Sequence, residues 1–208
     1  MFVEIVFTVI ILFFSVVLHE CAHGGMAYIL GDPTAKYAGR LTLNPLKHID
    51  PVGTIIFPGI LVLMRVLGFH TVLLGWAKPV PVNFARLRNP RNGMIWVGLA
   101  GPATNILLAV VFSSMLKLGG LSLGMQQIIA SGVFINLLLA WFNLIPIPPL
   151  DGSRLVMGIL PRGMAVAYMR LEEYGMFIII ALLYFGLLDR IIVPLVVISG
   201  VLLGVWFQ

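Results

Sequence analysis

The chain has 208 residues, of which 60% are apolar and 10% are charged, whereas soluble domains carry about 25% charged residues. This composition excludes an ordinary soluble protein, and the net charge of +5 does not indicate nucleic-acid binding, because the basic residues lie beside separate apolar segments. Several of these segments reach the roughly 20 residues that span a bilayer core. They predict an all-α polytopic membrane protein, a helical bundle of about 4–6 membrane segments. In chain order the segments are A (about 3–30), B (about 52–74), C (about 94–118), D (about 124–145), E (about 173–188) and F (about 190–207).

Segment A carries a polar cluster, LHECAHGG, at residues 18–25. Ionisable side chains within a membrane segment are costly when they face lipid, so they need a common partner. His19, Glu20 and His23 form the pattern H-E-x-x-H, in which residues four apart share a helix face and both imidazoles can bind one Zn²⁺. Glu20, beside the first histidine, can act as general base. The alternative is a set of polar residues satisfied inside the bundle.

A catalytic zinc site needs a third protein ligand and an open position for water. Position 29, where the extended metzincin pattern has its third histidine, is Ile29. Glu4 would lie about 22 Å from His19 along a continuous helix. Asp151 follows segment D on the side toward which segment A carries His23, so it is the best-placed carboxylate.

The run FNLIPIPPLDG, residues 142–152, ends segment D with three prolines that remove backbone donors and impose extended geometry. Irregular backbone at membrane depth must be buried in protein or line a wet cavity. Here it could pair with an unwound substrate strand, and Asn143 could hydrogen-bond the substrate backbone. The alternative is a turn in which Asp151 is the N-cap of the next helix, and the two roles are compatible.

Segment C opens with GLAGPATN, whose small residues permit the close approach of another helix. Gly101 belongs to this run, and Asn105 adds a polar group at the same depth. The residues alone leave packing and function both open.

Basic residues predict the topology, because Lys and Arg concentrate in cytoplasmic loops. Three groups follow segments A, B and D, namely Lys36, Arg40 and Lys47; Lys78, Arg86, Arg88 and Arg91; Arg154, Arg162 and Arg170. Segment B then has basic flanks at both ends and should be re-entrant. The stretch KPVPV after it cannot be helical and is predicted to be extended chain or an edge strand. Segments E and F are short for full spans and form either a hairpin or a broken helix, at about 173–207.

LHECAH in segment A, GPATN in segment C and NLIPIPPLDG after segment D together resemble the site-2 protease family of intramembrane zinc metalloproteases. NPLKHIDPVGT and GWAKPVPVN resemble stretches of its compact branch, which lacks PDZ-like and nucleotide-sensing modules. The resemblance covers residues from about 10 to 160.

The resemblance implies hydrolysis of peptide bonds in transmembrane segments of other proteins, near the cytoplasmic side, as in regulated intramembrane proteolysis. It puts one Zn²⁺ per chain on His19, His23 and Asp151, with Glu20 as the general base. It further implies substrate binding by Asn143 and by the small-x-x-x-Asn motif of Gly101 and Asn105. The extended loop that engages substrate in the family would fall around residues 78–83.

We therefore expect one membrane-embedded protease domain over residues 1–208, with a core at about 3–160, in a bacterial or archaeal cell membrane with its basic loops cytoplasmic. Its partners would be transmembrane protein substrates and the lipid bilayer, and not nucleic acid; the oligomeric state is open. Two rival functions are a non-catalytic zinc-binding scaffold and a small metal transporter. A transporter needs ligands along a path across the membrane, whereas the predicted ligands cluster on one side.

Overall fold

A computed structural model describes residues 2–68, 75 and 77–207, which form helices, turns and irregular loops with no strand among them. This confirms the all-α prediction. The α-helices are α1 (Phe2–Ile29), α2 (Thr34–Tyr37), α3 (Phe57–Val66), α4 (Pro90–Lys117), α5 (Leu123–Asn143), α6 (Asp151–Ile159), α7 (Arg162–Met169), α8 (Glu172–Tyr184) and α9 (Asp189–Leu202). Short 3₁₀ turns cover Pro45–His48 and Phe84–Arg86, and a π-helical stretch covers Pro51–Ile56.

Three of the described helices, α1, α4 and α5, are long and apolar enough to cross a membrane. Helices α8 and α9 pass the same test only together, and they are bent by 77° at the break between them. Counted as one span, this pair brings the number to four, the lower end of the predicted range. The chain is thus a polytopic helical membrane protein, and segments E and F form two helices joined at a sharp bend.

Segment B forms the π-helical stretch and α3, which run through residues 51–66. At 1.5 Å per residue this length is about 24 Å, less than the roughly 30 Å of a bilayer core. A short helix agrees with an element that does not cross in one pass. Residues 69–74, the rest of segment B, lie outside the described residues, so its re-entrant course stays a prediction.

Helix α4 is central in the bundle and packs against α1, α5 and α6. A second packing layer joins α5 to α9 through buried aliphatic side chains that include Val133, Leu137, Ile192 and Val196. Burial of such side chains is worth about 1.5–3 kcal/mol each in water, but between membrane helices close packing is the main contribution. This arrangement holds α1 and α6 on neighbouring faces of α4.

The proline run joins α5 to α6 through turns and bends, so it is non-helical as its prolines predict, whereas the expected extended geometry is wrong, because local hydrogen bonds fold the run back on itself. It lies against α8 at Gly175, where a Cβ atom would be 1.8 Å from the carbonyl oxygen of Pro148. Only glycine allows this approach. Leu150 is the N-cap of α6 and Asp151 is its first residue, so the alternative of Asp151 as the N-cap is wrong.

Candidate metal centre

Three side chains from α1 and α6 converge beside α4. Nε2 of His19 is 2.9 Å from Nε2 of His23, and both nitrogens are 3.1 Å from Oδ2 of Asp151. Both histidines are buried and Asp151 is half-buried. Within the described part of the chain this is the one cluster of three or more His, Cys, Asp or Glu side chains that could hold a metal ion. The structure brings together the three residues that the sequence singles out.

The other ring nitrogens of the two histidines already have partners. Nδ1 of His19 donates to Oδ1 of Asn105 at 2.5 Å, and Nδ1 of His23 donates to the carbonyl of Val97 at 2.7 Å. We assign the tautomers from these acceptors, because a neutral imidazole has one N–H. Both Nε2 atoms then direct lone pairs toward each other and toward the Asp151 carboxylate.

Three lone-pair donors crowded without a proton between them repel one another unless they share a cation. Tetrahedral Zn²⁺ with Zn–N distances of about 2.0–2.1 Å would separate its ligands by roughly 3.3 Å, close to the observed 2.9–3.1 Å. Imidazoles that donate their second N–H to an oxygen are also the usual state of zinc-bound histidine. The donor set therefore fits zinc.

A chain of amides fixes the orientation of His19. Nδ2 of Asn105 donates to Oδ1 of Asn136 at 3.0 Å, and Nδ2 of Asn136 donates to the carbonyl of Gly132 at 2.9 Å. Because a carbonyl can only accept, each amide has one allowed orientation, and the chain ends by accepting the His19 N–H. Asn105 and Asn136 are completely buried. The sequence analysis missed Asn136, although a polar residue in the middle of apolar segment D is a signal for such a role.

Gly101 of α4 faces the two imidazoles directly. A Cβ atom there would lie 2.4 Å from Nε2 of His23 and 2.5 Å from Nε2 of His19. The absence of a side chain thus makes room for both rings. The substrate-binding role predicted for Gly101 and Asn105 stays a prediction; the contacts that the structure adds are with the histidines.

The carboxylate of Glu20 is held by the proline segment, which we define as residues 77–83. The backbone N–H of Val80 donates to Oε2 of Glu20 at 2.8 Å. Because Pro79 and Pro81 have no N–H, the amide of Val80 is the one backbone donor between Lys78 and Val82. This donor fixes one carboxylate oxygen beside His19, His23 and Asp151, which we call the metal-donor cluster.

Loop residues anchor the proline segment at both ends. The N–H of Lys78 donates to the carbonyl of His48 at 2.9 Å, and Nη2 of Arg40 donates to the carbonyl of Lys78 at 2.6 Å. At the other end the N–H of Asn83 donates to Oδ2 of Asp32 at 2.6 Å. The segment is irregular rather than paired in a sheet, so its position depends on these contacts.

Asp32 is completely buried at the end of α1. Burial acts to raise the pKa of its carboxyl, but hydrogen bonds from Thr34 and from the Asn83 amide outweigh it and hold the pKa below its ordinary value. Asp32 is therefore an anion at neutral pH and accepts the Asn83 N–H in its stronger, charge-assisted form.

Two pockets meet at the metal-donor cluster, with volumes of ≈ 270 and ≈ 240 Å³. Both are lined by His19, Glu20, Asn143 and Pro149. Nδ2 of Asn143 donates to the carbonyl of Leu139 at 2.9 Å, which leaves its Oδ1 without a partner among the described residues. The predicted substrate-binding Asn143 thus lies where the two pockets join, although its role stays a prediction.

Comparisons with known proteins agree with this site. The chain is 40% identical over 185 residues to a Bacillus subtilis protein named "Putative zinc metalloprotease YwhC", and the match covers 85% of this chain and 79% of that protein. The profile of Peptidase family M50 matches residues 119–186. The chain belongs to peptidase family M50.

Two further relatives match this chain at lower identity. A Mycolicibacterium smegmatis protein named "Putative zinc metalloprotease Rip2" is 29% identical over 85% of this chain and 66% of its own length. The zinc metalloprotease MJ0392 of Methanocaldococcus jannaschii is 24% identical over 90% of this chain and 45% of its own length. No solved structure matches the M50 chain. The resemblance to site-2 proteases is confirmed, and the chain is a zinc metalloprotease.

In this M50 protease, replacing Asn136 with alanine should weaken zinc binding about tenfold, because partners behind a metal-bound histidine hold its orientation. Competition with a chromophoric chelator measures the affinity. Ser113→Ala is the matched control, because it removes a buried hydroxyl of α4 that donates to the carbonyl of Leu203 rather than to the metal-donor cluster. Equal zinc affinity in N136A and the unmodified protein would refute the amide chain.

Proposed function

We propose that this M50 protease hydrolyses peptide bonds in or beside transmembrane segments of other membrane proteins, with its active site toward the cytoplasmic side. The observation that carries the proposal is the location of His19, Glu20 and His23 within the span Val6–Ile29, with two pockets meeting at them. A protease for soluble substrates has no need to put its reacting groups inside a membrane span, where they are costly.

In this proposal His19, His23 and Asp151 would hold one Zn²⁺ per chain. A zinc ion held there would supply Lewis-acid polarisation of the scissile carbonyl and would make a water molecule more acidic. Glu20 takes a proton from the attacking water and returns it to the leaving amide nitrogen. The N–H of Val80 holds Oε2 of Glu20, which keeps the carboxylate oriented for both transfers.

A substrate must unwind before this chemistry, because a helical peptide bond is shielded within its own turn. An unwound segment exposes backbone donors and acceptors that need partners at membrane depth. The Oδ1 of Asn143, which has no partner in the described part of the chain, can accept a substrate N–H where the pockets join. Pro79, Val80 and Val82 of the proline segment line the same pocket, where non-helical backbone can lie beside an unwound substrate strand.

The charge distribution supports a cytoplasmic active site. Lys78 belongs to the proline segment, Arg40 donates to its carbonyl, and Arg154 lies one turn after Asp151. Lys and Arg favour the cytoplasmic side of membrane segments. The end of the bundle that holds the metal-donor cluster is therefore the cytoplasmic end in this proposal.

The test is cleavage by the purified full chain reconstituted in liposomes with a synthetic transmembrane peptide. We expect hydrolysis within or beside the apolar segment, loss of hydrolysis with a zinc chelator, and recovery when zinc is returned. Mass spectrometry of the products identifies the cleaved bond. Zinc entry into the liposomes without peptide hydrolysis would contradict the proposal and indicate the metal-transporter alternative; zinc binding with neither activity would indicate the scaffold.

A further inference from the structure

Arg154 contributes a positive charge to the active-site pocket. It lines the ≈ 270 Å³ pocket together with His23 and Asp151. Among the described residues that line the two pockets it is the one Arg or Lys side chain. Its guanidinium carbon is 5.3 Å from the centroid of the Phe84 ring, a distance at which a cation over an aromatic face is held in place.

The one carboxylate paired with Arg154 in the described part of the chain is weakly bound to it. Oε1 of Glu172 is 3.4 Å from Nη2 of Arg154, whereas charge-assisted hydrogen bonds are about 2.7–2.9 Å long. The Glu172 side chain is 41% exposed, so water screens the pair. An incoming carboxylate can therefore replace Glu172 or share the guanidinium, which has five donors.

The two pockets differ in what they can accommodate. Apolar residues dominate the ≈ 240 Å³ pocket, which extends to Val16 before the histidines on α1 and to Met176 and Ile179 on α8. The ≈ 270 Å³ pocket extends the other way, to His23 on α1 and to Arg154. A substrate peptide that runs past Glu20 from one pocket to the other would put its apolar part in the ≈ 240 Å³ pocket. Its polar flank would then lie in the ≈ 270 Å³ pocket, beside Arg154.

We infer that Arg154 is a specificity-determining residue that selects transmembrane substrates with an Asp or Glu side chain on the polar flank next to the cleaved bond. This inference rests on the proposed function and adds a substrate class to it. Cytoplasmic flanks of membrane segments are usually basic. A carboxylate at this place is therefore a feature by which a protease can distinguish its substrates from most membrane proteins.

The test measures binding of transmembrane peptides that differ only in Glu, Gln or Lys at successive flank positions. The protein is the full-length, zinc-loaded E20Q variant, so that binding is measured without turnover. We expect the Glu peptide to bind about fivefold more tightly than the Gln peptide at one or two positions, and the Lys peptide more weakly, as for a partly exposed ion pair. A second substitution, R154Q, should abolish the difference, and R154E should reverse it.

Glu172→Gln is the matched variant, because it removes the internal competitor and should increase the preference for the Glu peptide. Equal binding of Glu and Gln peptides at every flank position would overturn the inference, as would a preference that persists in R154Q. Cleavage of the same peptides by the protein with Glu20 intact separates the two proposals. Equal cleavage of the Glu, Gln and Lys peptides would contradict the role of Arg154 but not the proposed function. Tighter binding of the Glu peptide, without cleavage of any peptide, would contradict the proposed function but not the role of Arg154.

Discussion

Replacing Glu20 with glutamine should lower kcat for a transmembrane peptide by about three orders of magnitude, within the range of general acid–base catalysis. Glutamine keeps an oxygen that can accept the Val80 N–H, but its amide cannot take a proton from water. It also leaves the three metal-donor side chains unchanged. Zinc content should therefore stay at the level of the unmodified protein while hydrolysis is lost.

Glu173→Gln is the control for this change, because Glu173 is an exposed carboxylate on α8 and does not line either pocket. Its kcat should match that of the unmodified protein. Single-turnover hydrolysis and metal analysis on the same samples distinguish loss of chemistry from loss of metal. Hydrolysis by E20Q at the unmodified rate would refute the role of Glu20, and loss of zinc would show that Glu20 acts through the metal site instead.

Gly101→Ala should reduce zinc content about tenfold or more and reduce hydrolysis in parallel, as expected when metal-bound histidines lose their orientation. The added Cβ would lie 2.4–2.5 Å from the two Nε2 atoms, inside van der Waals contact, so one or both rings must move. The backbone of α4 is held by its packing against α5 and α6 and cannot yield easily. Mass-spectrometric metal analysis of the purified variant measures the effect.

The matched control for Gly101 is Gly124→Ala on α5, where an added Cβ would have no neighbour within 4 Å. It should retain zinc and activity. Size-exclusion chromatography and circular dichroism report whether G101A keeps its fold, so that a lost metal site can be separated from a lost protein. A folded G101A variant with normal zinc content would show that the imidazoles do not need this space.

The three metal-donor residues could be predicted from the sequence because the patterns that identify them are local in the chain. The prediction that His19 and His23 share one helix face needs only the helical repeat. The prolines before Asp151 end the preceding helix whatever that helix packs against. The side on which Asp151 lies follows from counting crossings with the basic residues. These inferences need no knowledge of which helices touch.

The contacts behind and beside the cluster depend on how the helices pack. The link from Asn136 to His19 requires the register of α5 against α4, and the acceptor for His23 is a backbone carbonyl that carries no side-chain signal. The hydrogen bond from Val80 to Glu20 requires a segment that folds back by 60 residues onto α1. Sequence periodicity encodes none of these relations, so the structure is needed to find them.

The zinc-to-protein ratio of the purified chain, measured beside that of its Asp151→Ala variant, tests the central claim most directly. His19 and His23 lie on one helix turn and would attract a metal ion in many settings, whereas the carboxylate of Asp151 reaches them only through this fold. We predict a ratio of about one for the unmodified chain, as for a site of three protein ligands, and a loss of most of the zinc in the variant. A variant that keeps its full zinc content would contradict the account.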